Sequence, residues 1–206
     1  MILIYKEGLM SLKKTVHGVG YLGFGKFRCW DSLTGKTTEE YRAWAHMLRR
    51  VYDTKMHIIQ PYYKGMEVCE EWHNFQNFAE WYTSHRNYGL GFELDKDILS
   101  GGDKIYSPET CMLLPKEINA SLIVKPTTKG KKLPTGVTRT KNKVVNRYRV
   151  RVRGLLPNEL YCYANTVEEA AVKSLEAKDI RLMQLVEKYK RYLDDCEIEA
   201  ILNFNK

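Results

Sequence analysis

The 206-residue sequence lacks the features that mark secreted, zinc-binding and membrane proteins. Its five cysteines form no CxxC pair and are odd in number, which argues against a disulfide framework or a zinc site and favours a reducing cytoplasm. No apolar run approaches the roughly 20 residues that span a bilayer. The opening MILIYKEGLM is too short and wrongly flanked for a secretory signal. We therefore expect a cytoplasmic globular protein that does not enter a membrane.

Acidic residues are missing from one long segment. Between Glu117 and Glu159 there is no Asp or Glu, whereas eleven Lys and Arg residues lie there. The rest of the chain carries 22 basic and 25 acidic residues, so the whole excess behind the net charge of +8 belongs to this segment. A solvated surface usually mixes both signs, so the segment favours a polyanionic partner, with a solubilising patch as the alternative.

Tryptophan and histidine are absent after residue 85, which suggests two regions of different composition. Between them, residues 122–134 are rich in Pro, Gly and Lys, as linkers are. We therefore expect an N-terminal domain over residues 1–121, a basic linker over 122–134 and a C-terminal domain over 135–206.

Periodicity predicts an α+β fold. In the N-terminal part it predicts a helix over 37–53, opened by a Thr37–Glu40 capping box, and a second helix over 73–85. Residues 91–119 then predict a strand, a Gly-Gly turn, a second strand or loop, and a short helix after Pro115. This order is that of a small β-hairpin followed by a helix.

The C-terminal part contains NRYRVRVRG, residues 146–154, in which arginine alternates with Tyr148, Val150 and Val152. This is the period of a strand, which would hold its arginines on one face about 6.6 Å apart. We call these residues the arginine comb: Arg147, Arg149, Arg151 and Arg153. Three short strands and a long helix opened by Thr166 and Glu169 predict an antiparallel sheet packed on that helix, which continues with a break towards residue 200.

Two further patterns bear on chemistry. GVGYLGFGK, residues 18–26, fits two nucleotide-binding patterns, but no buried strand precedes it and Phe27 stands where a P-loop needs Ser or Thr. We therefore expect a glycine-rich turn packed on aromatic residues, and no nucleotide cofactor. Glu93, Asp95 and Asp97 alternate along a predicted strand, so they form either a site for a hard cation such as Mg²⁺ or the polar face of a hairpin.

Residues 18–120 resemble the phage-borne HNH-type endonucleases of the ββα-metal class. The resemblance rests on YRAWAHMLRRVYD, YYKGMEVCEEWHNFQNFAEW, LDKDIL, GDKIYSPETC and LPKEIN, in that order. It implies a strand and helix that bind Mg²⁺ or Mn²⁺ and a general base that activates water against a DNA phosphodiester.

Carried over by position, the resemblance assigns Asp95 and Asn119 as metal ligands. Lys96 stands where the family has its histidine base, and a lysine of ordinary pKa near 10.4 is not a base at neutral pH. The base is therefore another group, His17 or Tyr106, or the centre is decayed.

The C-terminal part resembles the ethylene-response-factor type of DNA-binding domain, through LPTGVTRTKNK, YRVRVRG and YCYANTVEEAA. That family inserts a three-stranded sheet into the major groove, which implies DNA contacts from Arg139, Lys141, Lys143 and the arginine comb.

Together these features predict a phage-type homing or nicking endonuclease that binds double-stranded DNA in the host cytoplasm. The alternative is a decayed, non-catalytic DNA-binding regulator. An RNA or ribosome binder is a third reading, which we disfavour because the comb face is expected to carry arginines alone, without stacking aromatics.

Overall fold

The structure is a computed structural model that describes residues 16–122, 133–141 and 147–204. It mixes helices with small sheets, which confirms the α+β class. Two compact units form: Met1–Leu90 with Leu99–Leu113, and Gly91–Ile98 with Leu114–Lys206. Within the described ranges, no helix is both long and apolar enough to cross a membrane.

The first unit is mainly helical, and its elements are short. They are β1 (Trp30–Asp31), β2 (Lys36–Thr37), α1 (Glu39–Tyr52), α2 (Thr54–Ile59), β3 (Glu67–Val68), α3 (Phe75–Ser84) and β5 (Ile105–Tyr106), with 3-10 turns at Pro61–Tyr63 and Glu70–His73. β1 and β2 pair antiparallel, and β3 and β5 pair parallel.

Aromatic packing between α1 and α3 forms the core of this unit. Trp44 is fully buried, and its indole Nε1 donates to the Trp72 carbonyl oxygen at 2.6 Å. The ring centroids of Trp44 and Phe75 lie 5.4 Å apart, and Phe75 packs edge-on against Tyr41. The two helices that the periodicity predicted therefore pack together through aromatic side chains.

The helix starts differ slightly from those expected. Thr38, not Thr37, caps α1, because its hydroxyl accepts from the backbone N–H of Tyr41. Asn74 caps α3 and separates it from the preceding 3-10 turn, so the second helix begins at Phe75 rather than at residue 73. Single-residue shifts of this kind are common where adjacent residues can both cap.

The second unit contains β4 (Glu93–Asp95), α4 (Lys116–Leu122), β7 (Val137–Arg139), β8 (Tyr148–Arg151), β9 (Leu160–Ala164), α5 (Val167–Tyr189) and α6 (Asp195–Asn203), and β6 (Met112–Leu114) ends at its boundary. The sheet has the order β7-β8-β9 with antiparallel neighbours. One face packs on α5, with Val137, Tyr148, Val150, Ala164 and Ala170 in the core.

The long helix follows the expected course. Thr166 caps α5 by accepting from the Glu169 backbone N–H, while the Glu169 carboxylate accepts from the Asn165 backbone N–H. After α5 ends at Tyr189, a capping box between Asp194 and Glu197 opens α6. The predicted break therefore lies between residues 189 and 195.

The predicted domain limits and the two units divide the chain differently. Gly91–Ile98 and residues 114–121 group with the C-terminal part, although the sequence assigned them to the N-terminal domain. The strand after the Gly101–Gly102 turn, β5, pairs with β3 instead of pairing across that turn. Most of the predicted linker, residues 123–132, lies outside the described residues.

Candidate functional site

The arginine comb is only partly a strand. Tyr148 and Val150 face α5 and are buried, whereas Arg149 is half-buried and Arg151 exposed, as alternation predicted. β8 ends at Arg151, however, so Arg153 lies in the following turn and Arg147 precedes the strand; both are exposed. The sheet therefore presents two comb arginines on the face turned away from α5, which we call the open face.

The strand register places a threonine and a tyrosine beside Arg149. Thr138 on β7 and Tyr163 on β9 are its direct cross-strand partners. Directly opposite residues in an antiparallel pair share a face, with Cβ atoms about 5 Å apart. Tyr163 is 46% exposed, so the open face carries an aromatic ring and the expectation of arginines alone was wrong.

A bulge in β9 explains why the two tyrosines of this strand separate. The register shifts between Val150 and Arg151, and Tyr161 is the extra residue. Its hydroxyl donates to the Glu176 carboxylate on α5 at 3.4 Å, so Tyr161 lies on the helix side. Alternation in LYCYA indicated a strand, but the sequence carried no signal for the bulge.

Arg149 has an unsatisfied donor. Its Nε is buried and has no hydrogen-bond partner among the described residues. Leaving a buried donor unpaired costs about 1–3 kcal/mol, so such groups are rare in folded proteins and are often explained by a ligand or an ordered water. The guanidinium of Arg149 therefore has a donor that a ligand or an ordered water could satisfy.

Arg151 is bound differently. Its Nη2 lies 3.3 Å from the Glu159 carboxylate, whose other oxygen accepts from the Gly154 backbone N–H at 3.0 Å. Both charged side chains are about half exposed, so the ion pair contributes little stability. Its effect is to orient Arg151.

The remaining predicted cations do not share the open face as a group. Arg139 pairs with Tyr148 in the register, and its guanidinium carbon lies 6.0 Å from the Tyr148 ring centroid, which places it on the α5 side. Lys141 is exposed in a bend after β7. Lys143 lies outside the described residues.

Asp95, the predicted metal ligand, caps a turn. Its Oδ1 accepts from the backbone N–H groups of Asp97 at 3.0 Å and Ile98 at 3.2 Å. The side chain is 9% exposed, and burial raises the pKa of its carboxyl. β4 ends at this cap, so Asp97 lies in the turn and the expected row of three carboxylates on one strand face was wrong.

Lys96, at the position of the family's base, is 4% exposed. Its Nζ donates to Asp97 Oδ1 at 2.5 Å in a salt bridge. This salt bridge holds the Lys96 side chain against the Asp97 carboxylate.

Asn119 contacts the neighbouring carboxylate rather than Asp95. Its amide nitrogen donates to Glu93 Oε2 at 3.0 Å, and the Lys116 ammonium lies 4.0 Å from Glu93 Oε1. These bonds hold α4 against β4, the helix and strand that the nuclease resemblance brings together.

The hydrogen bonds of the residues assigned to a divalent cation involve only some of their possible ligand atoms. Asp95 Oδ1 accepts from two backbone donors, and Asn119 donates to Glu93 through its amide nitrogen, so its amide oxygen takes no part in that bond. Within residues 16–122, 133–141 and 147–204, no three His, Cys, Asp or Glu side chains come together as a metal would require.

The two alternative bases belong to the first unit. His17 is exposed, adopts a left-handed backbone conformation with φ of 49°, and lies near Asp53. Asp53 caps α2, and its pKa is lowered chiefly by the hydrogen bond from the Lys55 backbone N–H, with a smaller contribution from His17. Tyr106 is buried in β5.

The glycine-rich segment packs against helices. A Cβ on Gly20 would lie 2.9 Å from the Trp44 ring and collide with Leu48, and one on Gly23 would collide with the Asn74 carboxamide. These glycines therefore permit close packing on α1 and at the start of α3, as the sequence indicated.

Comparison with known proteins gives no family. No protein-family model, no curated protein and no solved structure matches the chain.

Proposed function

We propose that the sheet β7–β9 binds double-stranded DNA through its open face and that the chain is a DNA-binding regulator or accessory protein. The observation that carries the proposal is the buried, unpartnered Nε of Arg149. Thr138 and Tyr163 flank this group, and Arg151 lies two residues along the same strand.

Duplex DNA suits this surface in charge and shape. The acid-free segment supplies a one-sign field that favours a polyanion. The major groove, about 12 Å wide, admits strands, and a guanidinium fork binds phosphate or guanine at two points. The major groove of duplex RNA is too narrow and deep for such readout, so RNA is the poorer ligand. The five free cysteines suit a reducing cytoplasm, that of a host cell if the chain is phage-encoded.

A salt titration tests the proposal. Arg149→Ala combined with Arg151→Ala should weaken binding to a duplex about 100-fold, and each lost phosphate contact should reduce the slope of log affinity against log salt by about 0.9. The control removes two exposed cations beyond the sheet, Lys190→Ala with Arg191→Ala, and should bind nearly as wild type.

Two outcomes and one control decide the test. A double variant that binds duplex DNA like wild type at every salt concentration would contradict the proposal. Equal affinity for duplex RNA of the same sequence would favour the RNA reading. Unfolding curves of all variants must remain cooperative, so that lost binding is not lost folding.

Metal-dependent DNA cleavage is the second candidate function. The observation that favours it is the Asn119–Glu93 hydrogen bond, which holds α4 against β4 as the nuclease resemblance implies. Supercoiled plasmid should be incubated with Mg²⁺ or Mn²⁺ and wild type or Asp95→Ala. Nicking by wild type alone would support an endonuclease, whereas DNA binding without nicking would support the regulator. Equal nicking by both proteins would exclude Asp95 from the reaction.

A further inference from the structure

Part of the glycine-rich loop in the first unit exposes aromatic and cationic side chains alternately. Phe24 is 89% exposed and Trp30 54% exposed, and the exposed Lys26 and Arg28 lie between them. The alternating neighbours Phe27 and Cys29 turn inward and are half-buried. We call Phe24, Lys26, Arg28 and Trp30 the loop stripe. Single exposed apolar residues are common on protein surfaces, so it is the combination of two rings with two cations that suggests a binding surface.

A single side chain fixes the shape of this loop. The Gln76 amide nitrogen donates to the carbonyl oxygens of Leu22 and Phe27, each at 3.1 Å. Its amide oxygen accepts from the Phe27 backbone N–H at 3.0 Å. The loop stripe is therefore anchored to α3 before any ligand arrives, which lowers the entropy lost on binding.

A pocket opens beside the loop stripe. It has a volume of about 210 Å³, and Phe27, Phe75 and Gln76 contribute to its lining together with the loop glycines. This is smaller than a site for a drug-sized ligand, which is usually 300 Å³ or more. The pocket therefore has room for one flat ring.

The charges around the stripe favour an anionic ligand. Residues 16–37 contain three Lys or Arg and one carboxylate, Asp31, which accepts hydrogen bonds from Leu33 and Thr34. The Arg28 guanidinium makes no ion pair or hydrogen bond with the described residues. Lys26 pairs with Glu80 at 3.0 Å, but both side chains are largely exposed, so a phosphate can displace the carboxylate.

We propose that the loop stripe is a second nucleic-acid site, which binds unpaired nucleotides. Phe24 and Trp30 stack on bases, Lys26 and Arg28 bind the phosphates between them, and the pocket receives one base. Proteins that bind single strands combine these two kinds of side chain, because every base has a flat face and every linkage a negative charge. An acidic peptide would have to supply an aromatic side chain at both ends of the stripe, so it is the less suited ligand.

The site is distinct from the open face of the sheet and does not depend on it. Binding of an oligothymidine of about 15 nucleotides, long enough for one such site, measures it with the full-length protein. Phe24→Ala and Trp30→Ala should each weaken this binding about tenfold. Arg28→Ala should reduce the salt slope by about 0.7, the value for one single-strand phosphate contact. The matched control is Ile58→Ala, which truncates an 81% exposed side chain on α2 and should change nothing.

Stacking has its own optical signal. Trp44 and Trp72 are buried and Trp81 is half-buried, so Trp30, 54% exposed, is the tryptophan whose emission should change most on adding oligothymidine. Trp30→Phe should lose most of that signal while keeping most of the affinity, because phenylalanine also stacks.

The two proposals fail separately. The Arg149→Ala, Arg151→Ala protein should keep its affinity for oligothymidine, and Phe24→Ala should keep its affinity for duplex DNA. A Phe24→Ala, Trp30→Ala protein that binds oligothymidine like wild type would overturn the second site, whatever the duplex result. So would stripe-dependent binding of an acidic, tryptophan-containing peptide with no binding of oligothymidine, since the stripe would then be a protein-docking site.

Discussion

The open face of the sheet and the β4–α4 segment both carry polar side chains of the kind that bind DNA or metals, but they use them differently. On the sheet, Arg149 keeps a buried donor without a partner among the described residues. In the β4–α4 segment, Asp95 caps a turn, Lys96 bonds Asp97 and Asn119 bonds Glu93. The first arrangement contains a donor without a partner among the described residues, whereas the second uses these side chains in hydrogen bonds within the fold.

This difference separates the two resemblances that the sequence offered. A motif identifies residue types at the right spacing, but a site also needs side chains whose hydrogen bonds are available. By that measure the proposed DNA site on the sheet has more support than the proposed metal centre. In the β4–α4 segment the corresponding side chains make hydrogen bonds within the fold.

The largest effect on stability is expected at Asp95. Asp95→Ala removes the acceptor of two backbone N–H groups and should lower the free energy of unfolding by about 2 kcal/mol. Asp95→Asn keeps an oxygen in the same place and should retain most of that stability. Urea denaturation of both variants measures the difference. Equal destabilisation by the two substitutions would show that the charge, not the cap, is what matters, and would revive the metal-site reading.

The pH dependence of stability gives a second test of the buried Asp95 carboxyl. Burial raises the pKa of Asp95 above 3.8, so the folded protein holds this proton more tightly than the unfolded chain does. Its contribution to stability is therefore full below pH 3.8 and is lost as pH rises through the folded-state pKa. Asp95→Asn cannot lose a proton, so its stability relative to wild type should increase over that range. A stability difference between Asp95→Asn and wild type that does not change with pH would contradict the raised pKa of Asp95.

A smaller and opposite effect is expected at Arg149. Arg149→Met removes a buried unpaired donor and keeps the apolar stem, so it should raise the free energy of unfolding by about 1 kcal/mol while weakening duplex binding. The matched control is Arg151→Met, which removes an ion-paired, half-exposed guanidinium and should give no gain. A loss of stability in Arg149→Met would mean that the guanidinium is already satisfied, by water for instance, and would remove the main support for the DNA site.

The smallest effect is expected at Glu159. Glu159→Gln breaks an exposed ion pair with Arg151 but keeps an acceptor for the Gly154 N–H, so stability should change by about 0.5 kcal/mol or less. Glu159→Ala removes both interactions and should cost about 1 kcal/mol. Thermal unfolding distinguishes these values. A large loss of stability in Glu159→Gln would show that the Arg151–Glu159 ion pair stabilises the sheet.

Several parts of the structure follow directly from the sequence. The period of two in NRYRVRVRG buried Tyr148 and Val150, and Thr166 capped the long helix where the T-x-x-E pattern placed it. These features are local, because side-chain direction in a strand and capping at a helix start depend on a few adjacent residues.

The features that could not be predicted from the sequence depend on how the strands pair and where they end. Tyr163 lies on the open face because it pairs with Arg149, and Arg139 lies on the α5 side because it pairs with Tyr148. The bulge beside Arg151 places Tyr161 on the α5 side. The role of Asp95 depended on whether the strand continued to Asp97 or ended at a side-chain cap. Alternation is compatible with either outcome, so the number of carboxylates on one face was not decided by spacing.

The carboxamide of Gln76 has a consequence for how the glycine-rich loop can change in evolution. Its three hydrogen bonds go to main-chain atoms of Leu22 and Phe27. They therefore constrain the backbone of the loop and make no contact with the side chains that project outward. As long as Gln76 and the close-packed Gly23 remain, substitutions at Phe24 or Arg28 leave the path unchanged. Different residues thus determine the backbone conformation of the loop and its ligand preference. The ligand preference can change by substitution while the backbone conformation is kept.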